Sequence, residues 1–234
     1  DACAGLRSSG AGRFSCRYSC GPRRGGLVAH GGRWEEGRGP PSQKAHALPF
    51  TVATWNINSV RLRLPLVAQL LERERPDVLC LQETKCRDAE FPVSAIRKLG
   101  YEHVEISGQK GYHGVAILSR WRLDATDRRG FCAKGDARHI CARFADGPAK
   151  DVTLHNFYVP AGGDEPDPAI NEKFAHKLAF VDEMRDWFSA DGVARKRAIL
   201  VGDLNIAPLE HDVWSHKQLL KVVSHTPVEV EKFN

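Results

Sequence analysis

The 234-residue sequence has a single methionine, Met184, and no run near the roughly 18 to 20 consecutive apolar residues that a membrane-crossing helix needs, so no membrane span is expected. It lacks a Walker loop, a dinucleotide-binding glycine motif and a Gly-x-Ser-x-Gly elbow, which removes the usual signatures of nucleotide-driven transfer, hydride transfer and serine hydrolysis. Cysteine is sparse, at seven. Cys16-x₃-Cys20 has no second pair at zinc spacing, and Cys3 stands alone. Cys80, Cys86, Cys132 and Cys141 suit reduced thiols in a cytosolic protein better than a disulfide framework, and a cytoplasmic location is expected. Disorder throughout is excluded by 42% hydrophobic residues and a modest charge.

Charge of one sign is missing from most of the chain. The formal net charge of +5 invites a nucleic-acid partner. Residues 1–49 hold all of it: Arg7, Arg13, Arg17, Arg23, Arg24, Arg33, Arg38 and Lys44 stand against Asp1, Glu35 and Glu36. Residues 50–234 are neutral overall. The first segment also carries 10 of the 21 glycines and no periodic apolar face, too little to offset the entropy of ordering. We read 1–49 as a disordered Gly/Arg-rich tail. It has no apolar signal core, and its glycines oppose the amphipathic helix of a transit peptide. With no methionine at its start, it is expected to be flanking sequence rather than part of the domain that follows.

Residues 50–234 read as one α/β domain. FTVATW (50–55) is rich in β-formers, and 65–74 places Leu66, Val67, Leu70 and Leu71 on one helical face with Pro65 in the first turn. Pro76 ends that helix, and DVLCL (77–81) reads as a buried strand. A short helix at 93–99 stops at Gly100. Strand-like runs follow at 101–106, 115–119, 138–144 and 152–159, then a longer helix at 171–189 and an apolar strand, AILV, at 198–201. There is no internal repeat of 20 to 50 residues. Strands arriving both after helices and in succession indicate mixed sheets with helices outside.

Polar residues interrupt these strands at their ends. Asn56 and Asn58 follow FTVATW, Glu83 follows DVLCLQ, Tyr158 lies in HNFYVP with Asn156, and Asp203 and Asn205 follow AILVG. Singly, each fits a turn or a cap. Four separate strands each ending in a carboxylate, carboxamide or phenol form a constellation of the kind a rigid scaffold presents as a site. Carboxylate and amide oxygens together suit Mg²⁺ or Mn²⁺, not zinc.

The segments T-W-N-I-N-S (54–59), L-Q-E-T-K (81–85), G-Q-K-G-Y-H-G-V-A-I-L-S (108–119), Y-V-P-A-G (158–162) and G-D-L-N-I-A-P (202–208) resemble, in order and spacing, the bacterial exodeoxyribonuclease III and apurinic/apyrimidinic endonuclease family. G-D-x-N and Q-E-T-K alone indicate the wider endonuclease/exonuclease/phosphatase superfamily, and the Q-K-G-x-x-G-V-A block narrows it to the DNA-repair branch. The resemblance implies a four-layered α/β sandwich, two mixed sheets between helices, with the site at one end. It implies Glu83 as a metal ligand with Asn56 beside it, Asp203 positioning or deprotonating the attacking water, Asn205 orienting the phosphate, and Tyr158 contacting the scissile phosphate. Asp203 and Asn205 are also metal candidates. Asn58, Arg138 and Asn156 are DNA- or phosphate-binding candidates.

The activity so implied is Mg²⁺- or Mn²⁺-dependent hydrolysis of DNA phosphodiester bonds, 3′→5′ at ends and at abasic sites in duplex DNA, by a monomer. The family's terminal Ser-Asp-His-x-Pro-Val motif is expected to be missing along with its neighbouring loops, leaving a fragment of low activity. Ser224-His225-Thr226-Pro227-Val228 looks like that motif but lacks the Asp and follows Asp203 too closely, so His225 is expected to be a loop residue before a helix begun by Pro227. Trp214, His216, Lys217 and Lys221 read as a solvated face. Two alternatives stay open: an inositol phosphatase or sphingomyelinase-type enzyme on the same scaffold, and a catalytically dead nucleic-acid-binding fragment.

Overall fold

A computed structural model describes residues 50–190 and 197–234. The expected disordered tail, with Cys3, Cys16 and Cys20, lies outside these residues.

The chain runs β1 (Val52–Asn56), α1 (Leu64–Glu74), β2 (Val78–Gln82), α2 (Val93–Lys98), β3 (His103–Ser107), β4 (Val115–Ser119), β5 (Leu123–Asp127), β6 (His139–Phe144), β7 (Thr153–Tyr158), α3 (Glu172–Ser189), β8 (Ala198–Asp203), α4 (His216–Leu219) and α5 (Pro227–Phe233). Local chemistry sets the helix ends. Pro65 stands in the first turn of α1, whose buried Val67 and Leu71 are one turn apart, and Arg75 closes it in the left-handed region before Pro76. The Asn171 side chain accepts from the Lys173 and Phe174 amides to start α3. Thr226 and Glu229 cap α5 reciprocally.

The strands form two four-stranded mixed sheets, ordered β1-β2-β4-β3 and β5-β6-β7-β8. Among the described residues, only β1 with β2 and β7 with β8 pair parallel. Strand alternation divides the apolar residues into layers. Leu79, Leu81, Ala116 and Leu118 face α1 and α2 with Val67, Leu71 and Ile96. Val78, Cys80, Val115 and Ile117 meet Ile140, Ala142, Phe144 and Leu154 between the sheets. Phe157 and Val159 face Phe180 and Val181 of α3. The order is helices, sheet, sheet, helix, as the sequence implied. No disulfide joins the described cysteines, and no described helix is long and apolar enough to cross a membrane.

One strand was not expected, and one expected strand lies at an edge. Strand β5 was not foreseen, because Leu-Asp-Ala-Thr-Asp carries only one large apolar residue; it holds the sheet edge partly through the Arg143–Asp124 ion pair at 2.9 Å. Strand β8, apolar in sequence, lies at the other edge, and Leu200 stays 40% exposed.

On the outer face of the second sheet, three buried polar side chains sit under α3: His139, Cys141 and His155. The Arg129 amide donates to His139 Nδ1, so His139 Nε2 carries the proton and donates to His155 Nδ1 at 3.2 Å. Burial first, then His155 and Arg129, push His139 down to about 3.

Candidate active site

The two parallel strand pairs end on the same side of the sandwich, and their last residues meet. In register, Asn56 pairs Gln82 and Tyr158 pairs Asp203. Just past β2, Glu83 takes a left-handed backbone (φ 52°), as do Asn58 (46°), Ser59 (83°), Lys85 (52°) and Asn205 (50°). Non-glycine residues in this region cost roughly 1–3 kcal/mol each and cluster where function demands a fixed geometry. The two loops of the first sheet are laced together, Ser59 N–H donating to Glu83 O at 2.7 Å and Val60 N–H to Thr84 O at 3.2 Å.

The side chains form one hydrogen-bonded row drawn from both sheets. Tyr158 Oη donates to Glu83 Oε1, Asn56 Nδ2 donates to the same oxygen, and Asn56 Nδ2 also donates to Asp203 Oδ2, each at 2.8 Å. Lys85 Nζ ion-pairs Glu83 Oε2 at 2.9 Å and donates to Asn58 Oδ1 at 2.6 Å. The Asn205 amide donates to Asp203 Oδ1 at 3.2 Å. Burial pushes the Glu83 carboxyl up, but the bonds from Asn56, Lys85 and Tyr158 together with the Lys85 charge outweigh it and hold the group below the usual carboxylate range. Burial, then the bond to Glu83, drives the Tyr158 phenol far above its ordinary value, so it stays a protonated donor at neutral pH.

The donor set fits a hard divalent cation. A carboxylate offers about four lone-pair positions; Glu83 uses three and Asp203 two in the bonds above. Oxygen-only ligands with spare capacity on neighbouring strand ends are what Mg²⁺ or Mn²⁺ takes.

Asn56, Glu83, Tyr158 and Asp203 thus converge, and Asn205 joins them differently from expectation. Its Nδ2 donates to Val159 O at 2.8 Å, so its side chain shapes the turn while its backbone amide orients Asp203. Asn58 is exposed at the rim, held by Lys85.

Two candidates do not face outward. Asn156 is fully buried between the sheets: Nδ2 donates to Leu81 O (3.0 Å) and Ala116 O (2.9 Å), and Oδ1 accepts from Gln82 Nε2 at 2.7 Å. It fastens one sheet to the other and has no group left for DNA. Arg138, 7% exposed, stacks 4.8 Å from the Tyr158 ring, donates to Tyr158 O at 3.3 Å and pairs with Asp136 at 3.1 Å. It braces the tyrosine.

The sequence reading missed Lys85, although Gln82-Glu83-Thr84-Lys85 contains it, and His113. The His113 ring lies 6.1 Å from that of Tyr158 and its Nε2 lies 3.7 Å from Asp136; burial, then Arg138, lower it. His225 is buried in the loop before α5, Nδ1 donating to Ala207 O at 2.7 Å and Nε2 accepting from His216 at 2.8 Å. It serves the loop, as expected.

Comparison with known proteins agrees with this architecture. The model of the endonuclease/exonuclease/phosphatase family matches residues 53–223. Exodeoxyribonuclease III of Haemophilus influenzae is 32% identical over 162 residues, 68% of this chain and 59% of that protein. The DNA repair nuclease APEX1 of Danio rerio is 29% identical over 204 residues, 82% of this chain and 60% of the relative. The chain therefore spans about three fifths of the length of these relatives. Among solved structures, an AP endonuclease from Archaeoglobus fulgidus superposes with a TM-score of 0.70 at 32% identity, covering 79% of this chain and 68% of that one. A 3′ phosphatase, NExo, from Neisseria, bound to a product DNA hairpin, gives 0.65 at 31% identity, covering 79% and 68%.

Proposed function

The chain belongs to the endonuclease/exonuclease/phosphatase family, and from that premise we propose that it is the catalytic part of a divalent-metal-dependent DNA-repair phosphodiesterase. Its substrate on this reading is duplex DNA, cut at abasic sites and trimmed from 3′ ends. The observation that carries the proposal is the row Tyr158, Glu83, Asn56, Asp203, assembled from four strand ends of two sheets.

Phosphodiester hydrolysis needs charge neutralisation at the non-bridging oxygens, an aligned water and fixed donors around the phosphorus. A Mg²⁺ or Mn²⁺ ion held by Glu83 and Asn56 would supply the first. Glu83, kept ionised by its three donors, is ready for that role at neutral pH. Asp203, held by Asn56 on one oxygen and by the Asn205 amide on the other, offers its free lone pairs to an incoming water and accepts its proton. Tyr158, braced by Arg138, presents a phenol that can turn from Glu83 to a phosphate oxygen. Asn56 keeps the two carboxylates in fixed relation, the preorganisation that gives such sites their rate.

DNA is favoured over inositol phosphates or sphingomyelin because the relatives named above are DNA-acting enzymes. A location with the cell's DNA in the cytoplasm, and action as a monomer, follow as part of the same proposal. The test is a parallel assay with Mg²⁺ on three substrates: a duplex with one abasic site, inositol phosphates and sphingomyelin. Incision of the duplex alone is expected; faster release of phosphate from inositol phosphates, or of phosphocholine from sphingomyelin, would replace the DNA reading with the corresponding alternative.

A further inference from the structure

Lys177, on α3, has no exposed side-chain surface; neither has its partner Glu229 on α5. The lysine Nζ donates to Asn205 O at 2.6 Å, to Ala161 O at 3.2 Å and to Ser224 Oγ at 3.3 Å, and ion-pairs the Glu229 carboxylate. Glu229 in turn accepts from the Ser224 amide, the Thr226 amide and Thr226 Oγ1. Gly162, at φ 95°, leaves room for the lysine stem: a Cβ there would come within 2.8 Å of Lys177 Cδ.

Helix packing does not require this arrangement. A buried ion pair is often no more stabilising than apolar side chains of equal volume. Two leucines in place of Lys177 and Glu229 would still pack α3 on α5, but they could not hold a carbonyl. The carbonyl held most closely belongs to Asn205, a left-handed residue whose amide orients Asp203 and whose carboxamide is tied to Val159 O. The ammonium is therefore the third tie on the turn that carries the proposed water-activating carboxylate.

We propose that Lys177 is a positioning residue for the reaction, fixing the 203–205 turn through the Asn205 carbonyl, and that Glu229 holds Lys177 in place. Helix α5 is thereby mechanically joined to the active site through one enclosed charge. For its kinetic consequence the proposal rests on the nuclease reading; for its structural consequence it does not.

The experiment compares wild type with Lys177→Met/Glu229→Gln, which removes both buried charges together, and with Leu178→Ala, a core truncation on the same helix. Two readouts are taken well below each melting temperature. Amide hydrogen exchange at Asn205 is expected to quicken by at least roughly tenfold in the double variant while Ile140 in β6 keeps its protection; Leu178→Ala should not single out Asn205. On abasic duplex the double variant should lose at least about tenfold in kcat with KM within about threefold, as expected for misplaced groups. If the double variant does not fold, Glu229→Gln alone is read the same way. Unchanged Asn205 exchange and kcat in a folded variant, or an equal kcat loss in Leu178→Ala, would overturn the proposal. Absence of incision by wild type would overturn the nuclease reading instead, with Asn205 exchange still deciding the role of Lys177.

Discussion

A single phenol shows how the site works at the scale of one residue. Tyr158 donates to Glu83 and is held from behind by Arg138 through ring stacking and a bond to its carbonyl. Replacing Tyr158 by Phe keeps the ring against Arg138 and deletes only the donor. Loss of one preorganised donor in such a site costs roughly 10²-fold in rate, whereas one partly buried hydrogen bond contributes about 1 kcal/mol to folding. Tyr158→Phe is therefore expected to lower kcat by about 10²-fold with a small change in melting temperature, checked by steady-state kinetics beside thermal unfolding. Glu83, Asp203, Tyr158 and Asn56 were legible in the sequence because each breaks an apolar run at its end. Asn156 and Arg138 were not, because residue type does not reveal direction. Asn156 alternates with Phe157 on β7, and the face it takes is the one between the sheets.

At the scale of elements, β7 and β8 carry a restraint that acts on the site. Gly202, at φ 142°, lies against the Phe157 backbone, and a Cβ there would collide with it. Gly202→Ala must push the strands apart just before Asp203, and overpacking of this kind costs about 1–3 kcal/mol before any backbone strain is added. A fall in stability of at least about 2 kcal/mol, measured by urea unfolding, is expected, with activity falling too because Tyr158 and Asp203 are register partners.

Strand β6 carries a pH restraint. His139 is neutral in the fold, pushed down to about 3, but ionises near 6.5 when unfolded. The folded form is therefore at full strength above pH 6.5 and loses stability as pH falls from 6.5 toward 3, by about 2 kcal/mol at pH 5 for this group. His139→Gln should reduce the stability difference between pH 7 and pH 5; an unchanged difference would remove His139 as its source. Strong periodic elements such as α3 and β4 were legible from pattern alone. Strand β5 was not, because an edge strand with a polar face owes its place to its neighbours.

At the scale of the whole molecule, the site exists only while the two sheets hold their relation, since Asn56 and Glu83 come from one and Tyr158 and Asp203 from the other. Asn156 is the polar bolt between them. Asn156→Ala deletes the bonds to Leu81 O and Ala116 O and the acceptor of Gln82 Nε2, and opens a cavity. The expected loss is about 2–4 kcal/mol, with KM for DNA little changed at temperatures where the variant stays folded. A large rise in KM without loss of stability would return Asn156 to the DNA surface. The net charge of +5 belongs to residues 1–49, and 50–234 are neutral overall, so on the proposed reading the attraction to DNA would have to come from local charge and not from a basic domain.

The layered sandwich was legible through family motifs; the fastening of its layers was not, because contacts between residues 75 positions apart leave no local pattern. The most direct test of the central claim is the Mg²⁺-dependent incision rate, on a duplex with one abasic site, of the protein carrying this chain and of its Glu83→Ala and Asp203→Asn variants. Incision by wild type and a loss of at least roughly 10²-fold in each folded variant are expected. Wild-type rates in either variant would contradict the assignment of the Tyr158, Glu83, Asn56, Asp203 row as the active site.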